Sequence, residues 1–248
     1  VGAYTISVGA TMFGLSPIAS VILSMVVCTI LGVVIEKIAY KPLRLASPLT
    51  VLITAIGVSY FLQSTALLIF GSEQRRVASV ITVKGFNLGP IELTGESVVT
   101  LGATTLIMIG LALFINFTET GKAMLAVSED RGAAELMGIN VNKTISITFA
   151  VGSMLAAVAG ALFVSSYGFV GPYTGALPGI KAFVAAVLGG IGSIPGAMLG
   201  GILLGIIESF SKAYISTQLS DAIVFGVLIV VLLVKPSGLL GKQKTTKV

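Results

Sequence analysis

The chain has 248 residues, of which 55% are hydrophobic and only 10% charged, with a mean hydropathy of +1.06. A soluble domain carries about 25% charged residues to cover its surface, so fifteen Lys/Arg and ten Asp/Glu exclude a water-wetted body of this size. Histidine is absent, Cys28 is the lone cysteine, and the net charge of +5 is spread without interleaved aromatics. That excludes His-based catalysis, zinc sites, an internal disulfide framework and a nucleic-acid surface.

Apolar runs follow one another from Val1 to Leu15, Ile18 to Ile35, Leu49 to Phe70, Val98 to Phe117, Ile145 to Tyr167, Ile180 to Phe210, and Ala222 to Val234. The first begins in mid-run without an initiator Met, so a truncated N-terminus is expected. Most of the others suit one crossing, which takes roughly 20 helical residues for about 30 Å of hydrocarbon, but the sixth does not. Thr50, Thr54, Gly57, Phe61 and Ser64 fall on one stripe of the third run. Such a hydroxyl-and-glycine face should point at protein or water, either lining a route or bonding a neighbouring helix. Gln63 is the most polar uncharged residue there and would sit near an interface.

The loop 72–97 contains two β-prone stretches, Val80 to Val83 and Ile91 to Thr94, around Gly85 and Gly89-Pro90. These predict a small hairpin. The loop 118–143 is the most informative segment. Ser128-Glu129-Asp130 should cap a short helix that Gly138 ends. Ala133, Leu136 and Met137 would share one of its faces, with Asp130 and Glu135 pointing elsewhere. An apolar face of that kind suits a groove on a partner, or lies against the bundle.

The sixth run is too long for one helix and is interrupted by Gly189-Gly190-Ile191-Gly192-Ser193-Ile194-Pro195-Gly196. Pro195 lacks an N–H and the glycines relax the backbone, so a continuous helix would be weak. Loop charge favours a turn back at that point. With 36–48 inside, strict alternation puts 72–97 outside, 118–143 inside, 168–179 outside and the tail inside. Lys37, Lys41, Arg44, Lys122, Arg131, Lys143, Lys235, Lys242, Lys244 and Lys247 are then inside, against Arg75, Arg76, Lys84, Lys181 and Lys212 outside. This agrees with the rule that cytoplasmic loops hold the excess of basic residues. The first half of the pair, Ile180 to Leu188, spans roughly 14 Å and cannot cross alone. The turn at Gly189, Gly190, Gly192 and Ser193 would then lie at membrane depth, as broken helices on transport routes do, or form a plain packing corner. Gly192, Gly196 and Gly200, and likewise Gly201 and Gly205, repeat at intervals of four and predict close helix seams. Glu208 and Lys212 form a helix pair near the outer surface. The spans carry no Asp or Glu near their centres, which argues against a proton relay.

Several segments resemble the permeases of ABC importers for branched-chain amino acids, the LivH type. They are Glu36-Lys37-Ile38-Ala39-Tyr40-Lys41-Pro42-Leu43-Arg44, Leu52-Ile53-Thr54-Ala55-Ile56-Gly57-Val58-Ser59, Gly121-Lys122-Ala123-Met124, Ala134-Glu135-Leu136-Met137-Gly138-Ile139-Asn140, and the block from Lys181 to Ala197. The last is the most specific, and the likeness runs over nearly the whole chain. The resemblance implies an all-α polytopic membrane protein, a single transmembrane permease domain over 1–248. It would hold about seven to eight transmembrane or half-membrane helices, one broken helix pair and a cytoplasmic coupling helix. The family's Asn-Phe-Ala-x-Gly segment and first span would precede Val1.

The resemblance also makes 118–143 the coupling loop to a cytosolic ATPase, through Gly121, Lys122, Ala133, Ala134, Glu135, Leu136, Met137 and Gly138. Thr50, Thr54, Gly57, Ser64, Gly189, Gly190, Gly192 and Ser193 are the candidates for the substrate route. It implies a second homologous permease, two ATPase subunits, an extracytoplasmic binding protein delivering leucine, isoleucine or valine, and a bacterial plasma (inner) membrane. The hairpin loop 72–97 would receive the binding protein or cap helix ends. No cofactor is expected on this chain. Gly121-Lys122 is followed by Ala123, and Asn116 stands where a phosphate-binding loop needs its first glycine. ATP and Mg²⁺ belong to the partners. Rival readings are a related permease for urea, short amides or sugars, a passive channel, and an intramembrane enzyme, which lacks a nucleophile–base pair. Under the coupling reading, Ala134→Glu or Gly138→Pro should abolish substrate-stimulated ATPase in a folded protein.

Overall fold

The computed structural model describes residues 1–44, 46–77, 85–88, 91–235 and 237–241; for Pro48, 86–88 and 91–93 only the backbone is described. Ten α-helices account for most of them. In chain order they are α1 (Gly2–Met12), α2 (Pro17–Ile35), α3 (Pro48–Phe70), α4 (Gly95–Phe117), α5 (Glu119–Glu129), α6 (Arg131–Leu136), α7 (Val141–Tyr167), α8 (Ala176–Gly189), α9 (Ile194–Tyr214) and α10 (Ser220–Val234). Segments centred on α2, α3, α4, α7 and α9 are long and apolar enough to cross a membrane, while α8 and α10 are shorter apolar helices. The architecture is that of an all-α polytopic membrane protein. Two compact units, Val1–Thr174 and Gly175–Val248, divide the chain.

The first unit is organised on α2. Ser20, Ser24, Cys28 and Gly32 are its buried residues, and Glu36, just past its end, continues the row at the same interval of four. A row of small side chains brings backbones close, the usual basis of helix association in lipid. Ser24 Oγ donates to the Gly2 carbonyl of α1 at 2.9 Å, and a Cβ on Gly32 would overlap the Ser153 side chain of α7. Tyr4, Ile6, Ala161 and Val164 form the buried cluster beside this seam, with Tyr4 stacked on Phe70 of α3 at 4.4 Å. By contrast, the apolar stretches of α3 and α4 have no buried positions.

Strand pairing defines one end of this unit. β1 (Arg75–Arg76) pairs antiparallel with β4 (Phe169–Val170), and Val77 N donates to the Gly168 carbonyl at 3.0 Å. Gly168, at φ +71, provides the left-handed cap that ends α7. β2 (Phe86–Leu88) and β3 (Ile91–Leu93) make the expected hairpin with Leu88 opposite Ile91. The strand paired with Ile91–Leu93 is Phe86–Leu88; the expected stretch Val80–Val83 lies outside the described residues, as do Lys84 and Gly89-Pro90. A two-residue connection favours this pairing, since it returns the chain directly onto its neighbour. At the opposite end lie the turns 36–44 and the α5–α6 loop, held together by Arg44 and Arg131.

The second unit is three helices. Val184, Leu188, Leu204 and Val224 form its core. At one end Lys181 of α8 bridges Glu208 of α9 at 2.8 Å and Asp221 of α10 at 2.7 Å, while Lys212 adds to Glu208 at 2.5 Å. The sequence pairing Glu208–Lys212 is thus part of a larger cluster that ties all three helices. Lys181→Met removes the shared cation: Glu208 keeps Lys212, and Asp221 loses its bridge. A loss of about 1–2 kcal/mol is expected for a half-buried network of this kind. Thermal unfolding in detergent at low salt checks it, and Asp221→Asn added to Lys181→Met should recover part of the loss.

Candidate functional site

The α5–α6 loop is built from local capping. Thr118 caps α5, its Oγ1 accepting from Gly121 N at 3.0 Å, and Asp130 caps α6 by accepting from Ala133 N at 3.0 Å. Gly138, at φ +82, closes α6: its N–H donates to the Glu135 carbonyl, and Ile139 N donates to that of Ala134, each at 3.0 Å. Only glycine takes that φ without strain. The expected cap at 128–130 and stop at 138 match this geometry, while α5 was not foreseen as a helix.

Burial divides the coupling candidates. Ala134 is 3% exposed and faces inward, whereas Leu136 and Met137 are 91% and 83% exposed. Lys122, Ala133 and Glu135 are also exposed. Gly121 is buried where α5 folds back on α4, and a Cβ there would overlap the Phe114 carbonyl and the Ile115 backbone. Its reason for being glycine is that sharp bend. The loop thus presents an apolar knob, Leu136–Met137, on a rigid, doubly capped mount.

The mount is fastened to the bundle by groups that the sequence reading missed. Glu36 is completely buried, accepts from Ser146 Oγ of α7 at 2.7 Å and is paired with Arg44. It lies in a π-turn, where Lys41 N–H donates to the Glu36 carbonyl five residues back. Arg44 also donates to Asn142 of α7, and Arg131 of α6 donates to the Arg44 carbonyl at 3.3 Å. The available signal was a carboxylate continuing the small-residue row of α2.

The route candidates fall in both units. Thr50, Gly57, Phe61 and Ser64 are exposed on α3, with Thr54 half-buried and its hydroxyl bonded back to the Thr50 carbonyl at 2.8 Å. No heavy atom lies within 4 Å of where a Cβ on Gly57 would be. Among the described residues the stripe is thus open at Gly57 and exposed at Thr50, Phe61 and Ser64. In the second unit, Gly189 and Gly190 are buried, and Ser193 caps α9 by accepting from Gly196 N at 3.1 Å. A Cβ on Gly189 would overlap the Gly196 carbonyl, and one on Gly200 the Ala185 carbonyl. Leu239 N and Leu240 N donate to the Leu188 and Gly189 carbonyls, each at 2.9 Å, supplying the partners that the end of α8 would otherwise lack. Close backbone packing accounts for Gly189 and Gly190, and capping of α9 for Ser193. Gly192, at φ +92, and Ile191 stay exposed. Of the predicted seams, Gly196 and Gly200 are in one, whereas Gly192 and Gly205 have no heavy atom within 4 Å of a Cβ. α9 turns only one face to α8. At 14 residues, α8 is longer than its apolar core predicted, but at about 21 Å it still falls short of a full crossing.

Apolar helices of membrane length, a broken short pair and a capped surface helix showing an apolar knob define a multi-pass membrane protein of the transporter class. The chain belongs to the family of branched-chain amino acid transport system permease components, which matches residues 1–232. It is 44% identical over 230 residues to the high-affinity branched-chain amino acid transport system permease protein LivH of Escherichia coli K12, covering 91% of this chain and 74% of that protein. It is 41% identical over 261 residues to the BraD permease protein of the corresponding high-affinity system in Pseudomonas aeruginosa, covering 100% and 85%. No solved structure matches the chain.

Proposed function

We propose that this chain is the membrane-spanning subunit of an ATP-driven importer for leucine, isoleucine and valine, moving substrate by alternating access without chemistry of its own. The observation that carries this reading is the Leu136–Met137 knob: two large apolar side chains held out from the bundle on a helix capped at both ends. An apolar knob of this kind fits a groove on a partner, and family membership makes that partner a cytosolic ATPase. Lys122, Ala133, Glu135, Leu136 and Met137 meet it, while Gly121, Ala134 and Gly138 hold the loop in shape. ATP and Mg²⁺ reside on two such ATPase subunits.

The remaining parts follow from the same reading. Residues 1–248 act as one permease domain in a bacterial inner membrane, with 118–143 and the tail cytoplasmic and 72–97 outside. A second, homologous permease chain pairs with it, and an extracytoplasmic binding protein delivers substrate. The α3 stripe, Thr50, Thr54, Gly57 and Ser64, faces the route, and the Gly189–Ser193 turn shapes it, with Gly192 the turn glycine left open. A branched aliphatic substrate needs few polar contacts beyond those for its amino and carboxylate groups, which suits so sparse a polar lining.

Uptake of labelled leucine and labelled urea by cells lacking this subunit, and then regaining it, tests the assignment. Leucine uptake should return with the subunit, and excess isoleucine or valine should compete. Restored urea uptake without leucine uptake would overturn the substrate, and leucine flux independent of the ATPase subunits would overturn the mechanism.

A further inference from the structure

We propose that Glu36, Arg44, Ser146, Asn142 and Arg131 form a transmission joint that makes α6 move as one with the foot of α7 and the start of α3; this rests on reading α6 as the ATPase-facing element. Arg44 is the hub. Its guanidinium pairs with the fully buried Glu36 and donates to Asn142 of α7, and its carbonyl receives Arg131 from α6. Three residues on, Ser47 caps α3, with its hydroxyl accepting from Thr50 N at 3.4 Å. Arg131 thus ties α6 by one hydrogen bond to the residue three positions before the cap of α3, the helix that carries the exposed hydroxyl stripe.

The chemistry is unsuited to mere fastening. A buried ion pair adds little stability over an apolar pair of similar shape, because its desolvation offsets its attraction. Its distinctive property is directional: a guanidinium fork holds two acceptors at fixed angles, which an ammonium cannot do. The π-turn at 36–40 places the carboxylate in this position, and such single-turn interruptions of helices are frequent at functional sites. Arg44 Nε is buried and has no acceptor among the described residues. Glu36, Arg44, Ser146, Asn142 and Arg131 act through α6 and α3 and are positioning residues.

The test uses the assembled complex in lipid nanodiscs: this chain, its companion permease, the ATPase subunits and the binding protein loaded with leucine. Glu36→Gln and Arg44→Lys should each lower the ratio of stimulated to basal ATPase at least tenfold, with subunit assembly and the basal rate unchanged. Arg44→Lys keeps the charge and loses the fork, so its failure to rescue separates direction from charge. A ratio within twofold of the parent in both assembled variants overturns the joint, as does a parallel fall in assembly and basal rate, the signature of a purely structural pair. Should Glu36→Gln fail to assemble, Arg131→Met decides by the same ratio, since it leaves the buried pair in place. Leu136→Asp runs alongside. Normal assembly and stimulation in that variant would overturn the reading of α6 itself, whereas their loss in it, with the joint variants normal, would overturn the joint alone.

Discussion

Leu136→Asp is expected to abolish leucine uptake and to release the ATPase subunits from the permease during purification. Leu136 is 91% exposed and its neighbour Met137 83% exposed, so a carboxylate at 136 meets water in the isolated chain and costs the fold little. In a complex it would be pressed into an apolar groove without a counter-charge. Loss of a central apolar anchor commonly weakens an interface by 2 kcal/mol or more, about thirtyfold in affinity, and burying an unpaired carboxylate adds to that. Met137→Asp should behave likewise. Glu129→Gln, exposed at the end of α5, should change little. These variants isolate the contact better than Ala134→Glu, because Ala134 is buried and a carboxylate there would also lever α6 off α7. Co-purification and uptake together decide it, and a Leu136→Asp permease that retains its ATPase and transports normally would refute the surface.

Gly189→Ala is expected to destabilise the second unit strongly by loosening the α8–α9 seam. The new carbon would overlap the Gly196 carbonyl and come within 2.6 Å of Ala197 N, all of it backbone on the facing turn of α9. No rotamer can relieve a clash with main chain, so α8 and α9 must separate and the core of Val184, Leu188 and Leu204 must loosen. A cost of about 3 kcal/mol, at the upper end for overpacking, is expected. Gly205→Ala is the control. It lies on α9, the helix that Gly189 meets, in a position with no heavy atom of the described residues within 4 Å of its Cβ, and should be neutral or stabilising by up to about 1 kcal/mol through helix propensity. Thermal unfolding in detergent, with yield of folded protein, measures both. Equal behaviour of the two variants would remove the seam as the reason for the glycines.

Much of this protein was determined by sequence alone, because the bilayer leaves few choices. Backbone polar groups in hydrocarbon must be satisfied within a helix, so each apolar run from Ile18 to Val234 became a helix within a few residues of its predicted ends, save the sixth, which became the pair α8 and α9. The break after Leu188 was legible for the same reason, since Pro195 and the glycines cannot sustain the ladder there. The stop at Gly138 was legible because a left-handed cap requires glycine, and the cap at Asp130 because its carboxylate reaches the free N–H groups of the first turn.

What the tertiary structure decided are relations between distant positions, which no local pattern encodes. Ser146 and Glu36 are 110 residues apart, and Lys181 and Glu208 are 27 apart. Charges scored as loop decoration, Glu36, Arg44 and Lys181 among them, are pinned by partners that only packing brings near. The glycine rows show the same division. Repeats of four read equally well for Gly196–Gly200 and Gly201–Gly205, but a helix turns only one face to its neighbour, so the first row closes against α8 and the second does not. In the 118–143 loop, periodicity could group Ala133, Leu136 and Met137, and packing then separated the buried Ala134 from the knob beside it. Composition and helix chemistry set the elements. Which of their faces meet, and which are left open to a partner, depended on the assembled bundle.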